Sequence, residues 1–130
     1  HGKILNLAST AAFLPGPNMA VYYASKAYVL SLSEALAYEV RGSGVTVTAL
    51  CPGPTVTGFQ ERANVESTLL FRFGHGDAAK VANAGFDGLM RGKTVVVPGV
   101  VNKLTTLGPR VSPRALLVAV SAKLTERPRA

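Results

Sequence analysis

The sequence predicts an α/β domain built around a parallel β-sheet. Two short runs of apolar and β-branched residues, Lys3 to Ala8 and Val45 to Leu50, flank a long segment without glycine or proline, Val21 to Arg41. A strand, a helix and a strand with short connections form a βαβ unit, whose strands are parallel neighbours with a right-handed crossover. The composition of the two runs is typical of strands buried on both faces of a sheet.

The overall composition indicates one globular domain. The chain has 130 residues, 48% hydrophobic and 16% charged, which is far from the pattern of a disordered chain. The longest apolar run, Ala115 to Val120, is too short to cross a membrane. His1 is followed at once by a predicted strand, so we expect a piece of a longer protein with no visible signal peptide. The single Cys51 excludes an internal disulfide and predicts a cytoplasmic location.

The first half of the chain has clear breaks between its elements. Pro15, Gly16 and Pro17 predict a loop between Ala11 and Asn18. In the helix that follows, apolar residues recur at spacings of three and four, which predicts that they form its buried face. These residues are Val29, Leu32, Leu36 and Val40. Gly42 and Gly44 then end the helix, and Cys51-Pro52-Gly53-Pro54 ends the second strand.

The second half is less regular. Phe59 to Phe73 predicts one or two irregular helical turns, and Asp77 predicts the N-cap of a helix from Ala78 to Arg91. Gly85 and Gly88 are unfavourable inside that helix. Lys93 to Val97 predicts a further β-branched strand.

Residues 100–130 form a basic helical tail in this interpretation. Two short helices are expected, Val100 to Leu107 and Pro113 to about Leu124. Residues 1–90 carry six basic and six acidic groups, whereas residues 91–130 carry eight basic groups against Glu126 alone, so the net charge of +7 belongs to the C-terminal part. We expect these helices to pack against the sheet or a partner subunit. The alternative is a weak contact of a peripheral protein with an anionic membrane.

Candidate catalytic residues converge on one edge of the predicted sheet. Ligands of open parallel sheets bind at the carboxyl ends of the strands. Ser9 and the loop from Pro52 to Phe59 follow the two strands, and Tyr22 lies at the start of the helix between them. Tyr22 and Lys26 are four residues apart, hence on one helical face, where the ammonium favours the phenolate. A tyrosine in this setting is a candidate general acid/base, with Ser9 polarising a substrate oxygen.

Three motifs in this region resemble the short-chain dehydrogenase/reductase family over about residues 2–99. They are Asn6-Leu7-Ala8-Ser9, Tyr22-Tyr23-Ala24-Ser25-Lys26 and Pro52-Gly53-Pro54-Thr55-Val56-Thr57. Ser9 precedes Tyr22 by 13 residues, as in that family. The resemblance implies a Rossmann-like doubly wound parallel sheet, of which residues 1–99 are the C-terminal half, with residues 59–73 as the substrate lid.

The resemblance also implies an NAD(P)-dependent carbonyl reductase or secondary alcohol dehydrogenase. In it, Tyr22 is the acid/base, Lys26 assists Tyr22 and binds the nicotinamide ribose, and Ser9 orients the substrate carbonyl. Thr55 and Thr57 contact the carboxamide, in a loop shaped by Pro52 and Gly53. NADP is slightly favoured over NAD, the substrate is a small carbonyl or alcohol, and the full-length protein forms a homo-oligomer. The Gly-rich turn and the rest of the cofactor site are expected in the missing N-terminal half.

Several alternatives remain at this stage. Tyr23 is a rival acid/base, and a sugar-nucleotide epimerase or dehydratase shares the Tyr-x-x-x-Lys motif. A non-catalytic membrane-surface or interaction protein would use only the basic tail. We expect no metal site, because His75 has no nearby ligand partner in the sequence, and we expect Cys51 to be buried and unreactive. Aromatic residues are few and not interleaved with the basic ones, so nucleic-acid binding is not expected.

Overall fold

The computed structural model describes residues 1–63, 65, 67–72 and 75–126. Its strands are β1 (Gly2–Leu7), β2 (Val45–Leu50) and β3 (Val95–Val96). Its α-helices are α1 (Ala20–Glu39), α2 (Phe59–Ala63), α3 (Leu69–Arg72), α4 (Ala78–Met90), α5 (Val100–Val111) and α6 (Arg114–Thr125). A 3-10 turn covers Thr10–Phe13.

The three strands form a parallel sheet in the order β1-β2-β3. Leu7 lies opposite Leu50, and Leu50 lies opposite Val96, so all three strands end at the same edge. The α/β fold class predicted from the sequence is therefore confirmed, together with the parallel βαβ unit. The functional residues that follow β1 and β2 meet at this carboxyl edge.

Helices cover both faces of the sheet, as in a doubly wound fold. Successive residues of a strand point to opposite faces. Ala49 packs with Leu30 of α1 and with Ala8 in the buried core, whereas Leu50 contacts Gly85 of α4. The helices α1 and α4 therefore lie on opposite sides of β2.

The two glycines of α4 form its contact surface with the sheet. A Cβ at Gly85 would lie 2.6 Å from Leu50 Cδ2, and a Cβ at Gly88 would overlap Val96. Both glycines are buried. Residues that lower the intrinsic stability of the helix thus allow its backbone to approach β2 and β3 closely. Asp77 caps the helix as predicted, its side chain accepting a hydrogen bond of 3.1 Å from Lys80 N.

The prediction of the buried surfaces was wrong in two places. In α1 the buried residues are Tyr23, Leu30 and Ser33, whereas Leu32 of the predicted apolar face is exposed. Small side chains allow close helix–sheet packing, and an apolar periodicity cannot register a buried serine. In β1, Ile4 and Leu7 are 48% and 57% exposed, because β1 is an edge strand of the described sheet.

The element bounds also differ from the predicted ones. β3 comprises only Val95–Val96, and α5 continues through Pro109 to Val111, beyond its predicted end at Leu107, although a proline inside a helix removes one hydrogen bond. The predicted loop after β1 begins with the 3-10 turn, because Ser9 caps it. The predicted lid, 59–73, contains α2 and α3, while Asn64, Glu66 and Phe73 lie outside the described residues. No helix of the described chain is long and apolar enough to cross a membrane.

Candidate active site

A cavity of about 1040 Å³ opens at the carboxyl edge of the sheet. All seven residues proposed from the sequence line it: Ser9, Tyr22, Lys26, Pro52, Gly53, Thr55 and Thr57. They come from the ends of β1 and β2 and from the first turns of α1. The topology therefore brings together residues that are up to 48 positions apart in the chain.

Ser9 is held where β1 and β2 end side by side. It is buried, and its Oγ accepts a hydrogen bond of 3.1 Å from Ala11 N at the start of the 3-10 turn. The same Oγ donates to Pro52 O across 3.5 Å, and Thr10 N donates to Pro52 O at 2.9 Å. Ser9 therefore both caps the 3-10 turn and lines the cavity. Since the donated bond is long, the hydroxyl proton is weakly engaged.

Tyr22 and Lys26 lie next to each other on α1. Lys26 Nζ is 5.8 Å from the centroid of the Tyr22 ring and donates a 3.0 Å hydrogen bond to Leu7 O, the last carbonyl of β1. This bond ties the lysine to the strand end. It uses one of three ammonium protons, which leaves two N–H groups for a ligand in the cavity.

Tyr23 occupies a different environment from its neighbour. Its side chain is only 4% exposed, and its ring packs so closely on Gly16 that a Cβ there would overlap it. Burial raises the pKa of the Tyr23 hydroxyl above its ordinary value, and Tyr22 adds to the increase. A buried tyrosine that holds its proton so firmly is a poor acid/base near neutral pH. The geometry therefore favours Tyr22.

Hydrogen bonds within the chain hold the loop after β2. Thr55 Oγ1 donates to Gly53 O at 2.9 Å, and Gln60 Nε2 donates to Thr55 O at 2.6 Å. Thr57 Oγ1 accepts from Phe59 N at 3.3 Å, so its own O–H can still donate to a ligand. Gly76 N donates to Pro54 O at 2.7 Å. The loop is thus joined to the start of α2 and to the segment before α4.

Gly53 lies in close contact with the tail, and its own backbone conformation does not require glycine. A Cβ at this position would lie 2.6 Å from Nδ2 of Asn102, in the first turn of α5. Asn102 Nδ2 in turn donates to Pro98 O at 2.8 Å. No sequence pattern connects Asn102 with the site, since the contact spans 49 residues.

Other residues at the cavity were also missed by sequence reasoning. Phe59 stacks on Tyr22, with ring centroids 5.0 Å apart, and Leu124 of α6 forms part of the wall. His75 lines the cavity too, from the segment before α4. The apolar spacing in the tail indicated helices but could not show which surface they cover.

Cys51 lies below the site. It is fully buried, and burial raises the pKa of its thiol to about 11, an increase that Glu34 reinforces and a hydrogen bond with the Ser9 backbone opposes. The prediction of a buried, unreactive cysteine agrees with this environment. Among the described side chains, no group of three or more His, Cys, Asp or Glu could hold a metal ion.

Fold and site together define a parallel α/β domain with a serine, a tyrosine and a lysine around a cavity at the carboxyl edge. The family model of short chain dehydrogenase matches residues 1–67. The chain belongs to this family. Among curated relatives, the 3-oxoacyl-[acyl-carrier-protein] reductase of Synechocystis sp. is 39% identical over 70 residues, which are 54% of this chain and 28% of that protein.

Solved structures support the same assignment. A short-chain dehydrogenase from Sphingobium yanoikuyae in complex with NADPH has a TM-score of 0.67 and 29% identity, over 80% of this chain and 41% of that one. A short-chain dehydrogenase/reductase from Burkholderia phymatum in complex with NAD has a TM-score of 0.67 and 27% identity, over 81% and 45% of the two chains. The chain thus spans less than half the length of these proteins.

Proposed function

We propose that the protein containing this chain is an NAD(P)-dependent oxidoreductase acting on a small carbonyl compound or secondary alcohol. The observation that carries the proposal is the convergence of Ser9, Tyr22 and Lys26 on one cavity at the carboxyl edge. In this proposal, residues 1–99 are the C-terminal half of the catalytic domain, and residues 100–130 are a basic tail that contains α5 and α6. The family's enzymes and the NADPH- and NAD-bound neighbours support the cofactor class.

The residues present have a donor set that fits a nicotinamide nucleotide. The free N–H groups of Lys26 match the ribose hydroxyls, and the Thr57 hydroxyl can donate to the carboxamide oxygen. Thr55 lines the same stretch of the cavity. Bound nicotinamide would supply the hydride chemistry. The side chains of this chain would orient the reactants and move the proton.

Proton transfer falls to Tyr22 in this proposal. Its hydroxyl would donate to the carbonyl oxygen during reduction and take the proton back during oxidation, with the Lys26 ammonium stabilising the phenolate. The weakly engaged Ser9 proton would turn from Pro52 O to the same substrate oxygen. Two donors converging on one oxygen stabilise the charge that develops there.

The neighbouring tyrosines provide a matched test in the full-length enzyme. Tyr22→Phe is expected to lower kcat by about 10² or more with little change in cofactor affinity, because only the proton donor is removed. Tyr23→Phe is the control and should lower kcat far less. If Tyr23→Phe abolished turnover and Tyr22→Phe did not, the assignment would be wrong.

Lys26→Met separates the two functions assigned to the lysine. It should lower kcat and also raise the Kd of the cofactor, because the ammonium is proposed to bind the ribose as well as to support Tyr22. Cofactor titration by fluorescence measures the second effect. An unchanged Kd would remove the ribose-binding role.

The rival enzyme class, a sugar-nucleotide epimerase or dehydratase, receives no support from the relatives quoted above. We further propose that the full-length enzyme is a homo-oligomer. We also propose that it is cytoplasmic, which the single, buried cysteine favours. Gel filtration and cell fractionation measure these two properties.

A second function, contact with an anionic membrane surface, is favoured by the orientation of α5. The apolar residues of this helix are between 53% and 86% exposed, while its buried or half-buried residues include Thr106 and Asn102. The exposed residues are Val100, Val101, Leu104, Leu107 and Val111. Four of them, Val100, Leu104, Leu107 and Val111, recur at spacings of three and four and form one exposed face, whereas Val101 also lines the cavity.

Charge favours lipid over a second copy as the occupant of this face. Lys103 and Arg110 lie on α5, Arg114 and Lys123 on α6, and the sequence has no acidic residue between Asp87 and Glu126. Two copies packed through α5 would bring like charges together. Anionic lipid instead attracts them, at about 1 kcal/mol for each cation near the surface.

Co-sedimentation of the full-length protein with anionic and neutral vesicles, at low and high salt, tests this contact. Binding should require anionic lipid, weaken steeply as salt rises, and fall at least tenfold in Leu104→Glu. Ala119→Glu, which places the same charge on an exposed position of α6, is the control for charge alone. Equal binding to both vesicle types, or a dimer that Leu104→Glu dissociates, would overturn the proposal.

A further inference from the structure

We infer that Thr125, at the end of α6, is a positioning residue for the catalytic turn of α1. Its side chain is 2% exposed, and its Oγ1 lies 2.7 Å from Pro17 O, to which it donates. Asn18 Nδ2 donates to Thr125 Oγ1 at 3.5 Å. The hydroxyl thus joins the C-terminal helix to the loop that precedes α1, 107 and 108 residues earlier in the chain.

The loop needs an anchor because α1 has none of its own at this end. Its N-cap residue, Met19, makes no side-chain capping bond. Asn18 adopts the left-handed backbone region, with φ at 65°, which costs energy for a residue with a side chain. The local chain therefore does not specify this geometry strongly. Contacts from elsewhere in the fold must hold it.

Two such contacts are present. The Tyr23 ring packs against Gly16, and Thr125 donates a hydrogen bond to Pro17 O. Two backbone hydrogen bonds connect the loop to the first turn of α1. Met19 N donates to Gly16 O at 3.1 Å, and Tyr23 N donates to Met19 O at 3.1 Å. Tyr22 lies within that turn, so a displacement of the loop moves its hydroxyl relative to Ser9.

The hydroxyl proton of Thr125 has a competing local acceptor. Ser121 O lies 2.8 Å away, which is the usual bond of a threonine to the preceding helical turn. One proton serves only one acceptor fully at a time. The Oγ1 atom lies within hydrogen-bond distance of both carbonyls, and the end of α6 is joined to the loop when its proton points to Pro17 O, the nearer of the two. Removing the hydroxyl should release the loop without unfolding α6, since threonine and valine have similar shape.

The role of Thr125 rests on the proposed function of Tyr22, and the test has one readout that does not. In the full-length enzyme, Thr125→Val should raise the amide exchange rates of the first turn of α1 about fivefold, as expected for the loss of one net hydrogen bond. It should lower kcat about tenfold through misplacement of Tyr22, with the cofactor Kd unchanged within twofold.

Thr125→Ser retains the hydroxyl and should restore both readouts. Ser112→Ala, which removes a tail hydroxyl bonded only locally to Gly108 O at 2.8 Å, should change neither. Normal exchange and kcat in Thr125→Val, or no restoration by Thr125→Ser, would overturn the inference. Faster exchange with normal kcat, in an enzyme insensitive to Tyr22→Phe, would instead overturn the proposed function and leave the anchor in place.

Discussion

The contact between Gly53 and Asn102 predicts a coupling between the loop after β2 and the tail. Gly53→Ala places a methyl group 2.6 Å from Asn102 Nδ2, well inside van der Waals contact. Either the loop and α5 move apart, or the Asn102 side chain rotates away. Rotation breaks its 2.8 Å hydrogen bond to Pro98 O.

The magnitudes decide between these two responses. Overpacking of a rigid contact costs about 1–3 kcal/mol, whereas the loss of one hydrogen bond costs about 1 kcal/mol, so rotation of Asn102 is the cheaper response. Gly53 is not among the residues of positive φ, so alanine is allowed there and restricts the unfolded chain, a gain of about 0.4–1 kcal/mol. The net cost of Gly53→Ala is then only a few tenths of a kcal/mol.

The double variant reveals what the single variant conceals. Asn102→Ala alone should cost about 1 kcal/mol for the lost bond, but Gly53→Ala added to it meets no clash and keeps its gain. The two changes should therefore be non-additive, with the double variant about 1 kcal/mol more stable than the sum of the singles. Urea unfolding of the full-length enzyme measures this, with the pair Gly53→Ala and Asn83→Ala as an additive control. Additivity within 0.3 kcal/mol would refute the contact.

Three further predictions concern the sheet and its core. Gly88→Ala places a Cβ that overlaps Val96, which should cost about 1–3 kcal/mol of the free energy of unfolding, offset by about 1 kcal/mol because alanine has the higher helix propensity. Asn83→Ala, on the exposed side of α4, should raise the free energy of unfolding slightly. Urea unfolding measures both changes. The pKa of Cys51 is raised from 9.0 to about 11, so the stability that its protonated thiol contributes is complete below pH 9 and is lost as pH rises toward 11. The free energy of unfolding, measured across that range, should decline less steeply in Cys51→Ala. The 130-residue chain alone should aggregate through β1, measured by light scattering, and Leu7→Lys should reduce the aggregation; a monodisperse wild-type chain would contradict this.

Sequence patterns predicted the backbone of this domain well wherever the signal was local. Two runs of apolar and β-branched residues and one uninterrupted helical segment predicted the βαβ unit. The position of Asp77 before a segment of apolar periodicity predicted the helix cap. Gly85 and Gly88 were interpreted as weakening α4, since glycine lowers helix propensity. Their benefit, a close approach to β2 and β3, exists only once the sheet is present.

The candidate site divides in the same way. Ser9, Tyr22 and Lys26 were predicted because their positions follow from strand ends and a helical repeat of four. Asn102 and Thr125 were not, since their contacts cross 49 and 108 residues and neither residue type is unusual in a helix. The exposed face of β1 was also missed, because an apolar run does not reveal whether a strand lies at a sheet edge.

The two adjacent tyrosines show why the catalytic assignment needs the fold as well as the motif. Neighbouring residues of a helix point about 100° apart, so Tyr23 is buried and Tyr22 only half-buried, although both line the cavity. Gly16, which has no side chain, admits the Tyr23 ring beneath the loop, and burial there raises the Tyr23 pKa. The same rotation leaves Tyr22 facing the cavity beside Lys26. Burying one tyrosine fixes the start of α1, and this fixed turn holds the other at the cavity, where the proposed function needs a proton donor.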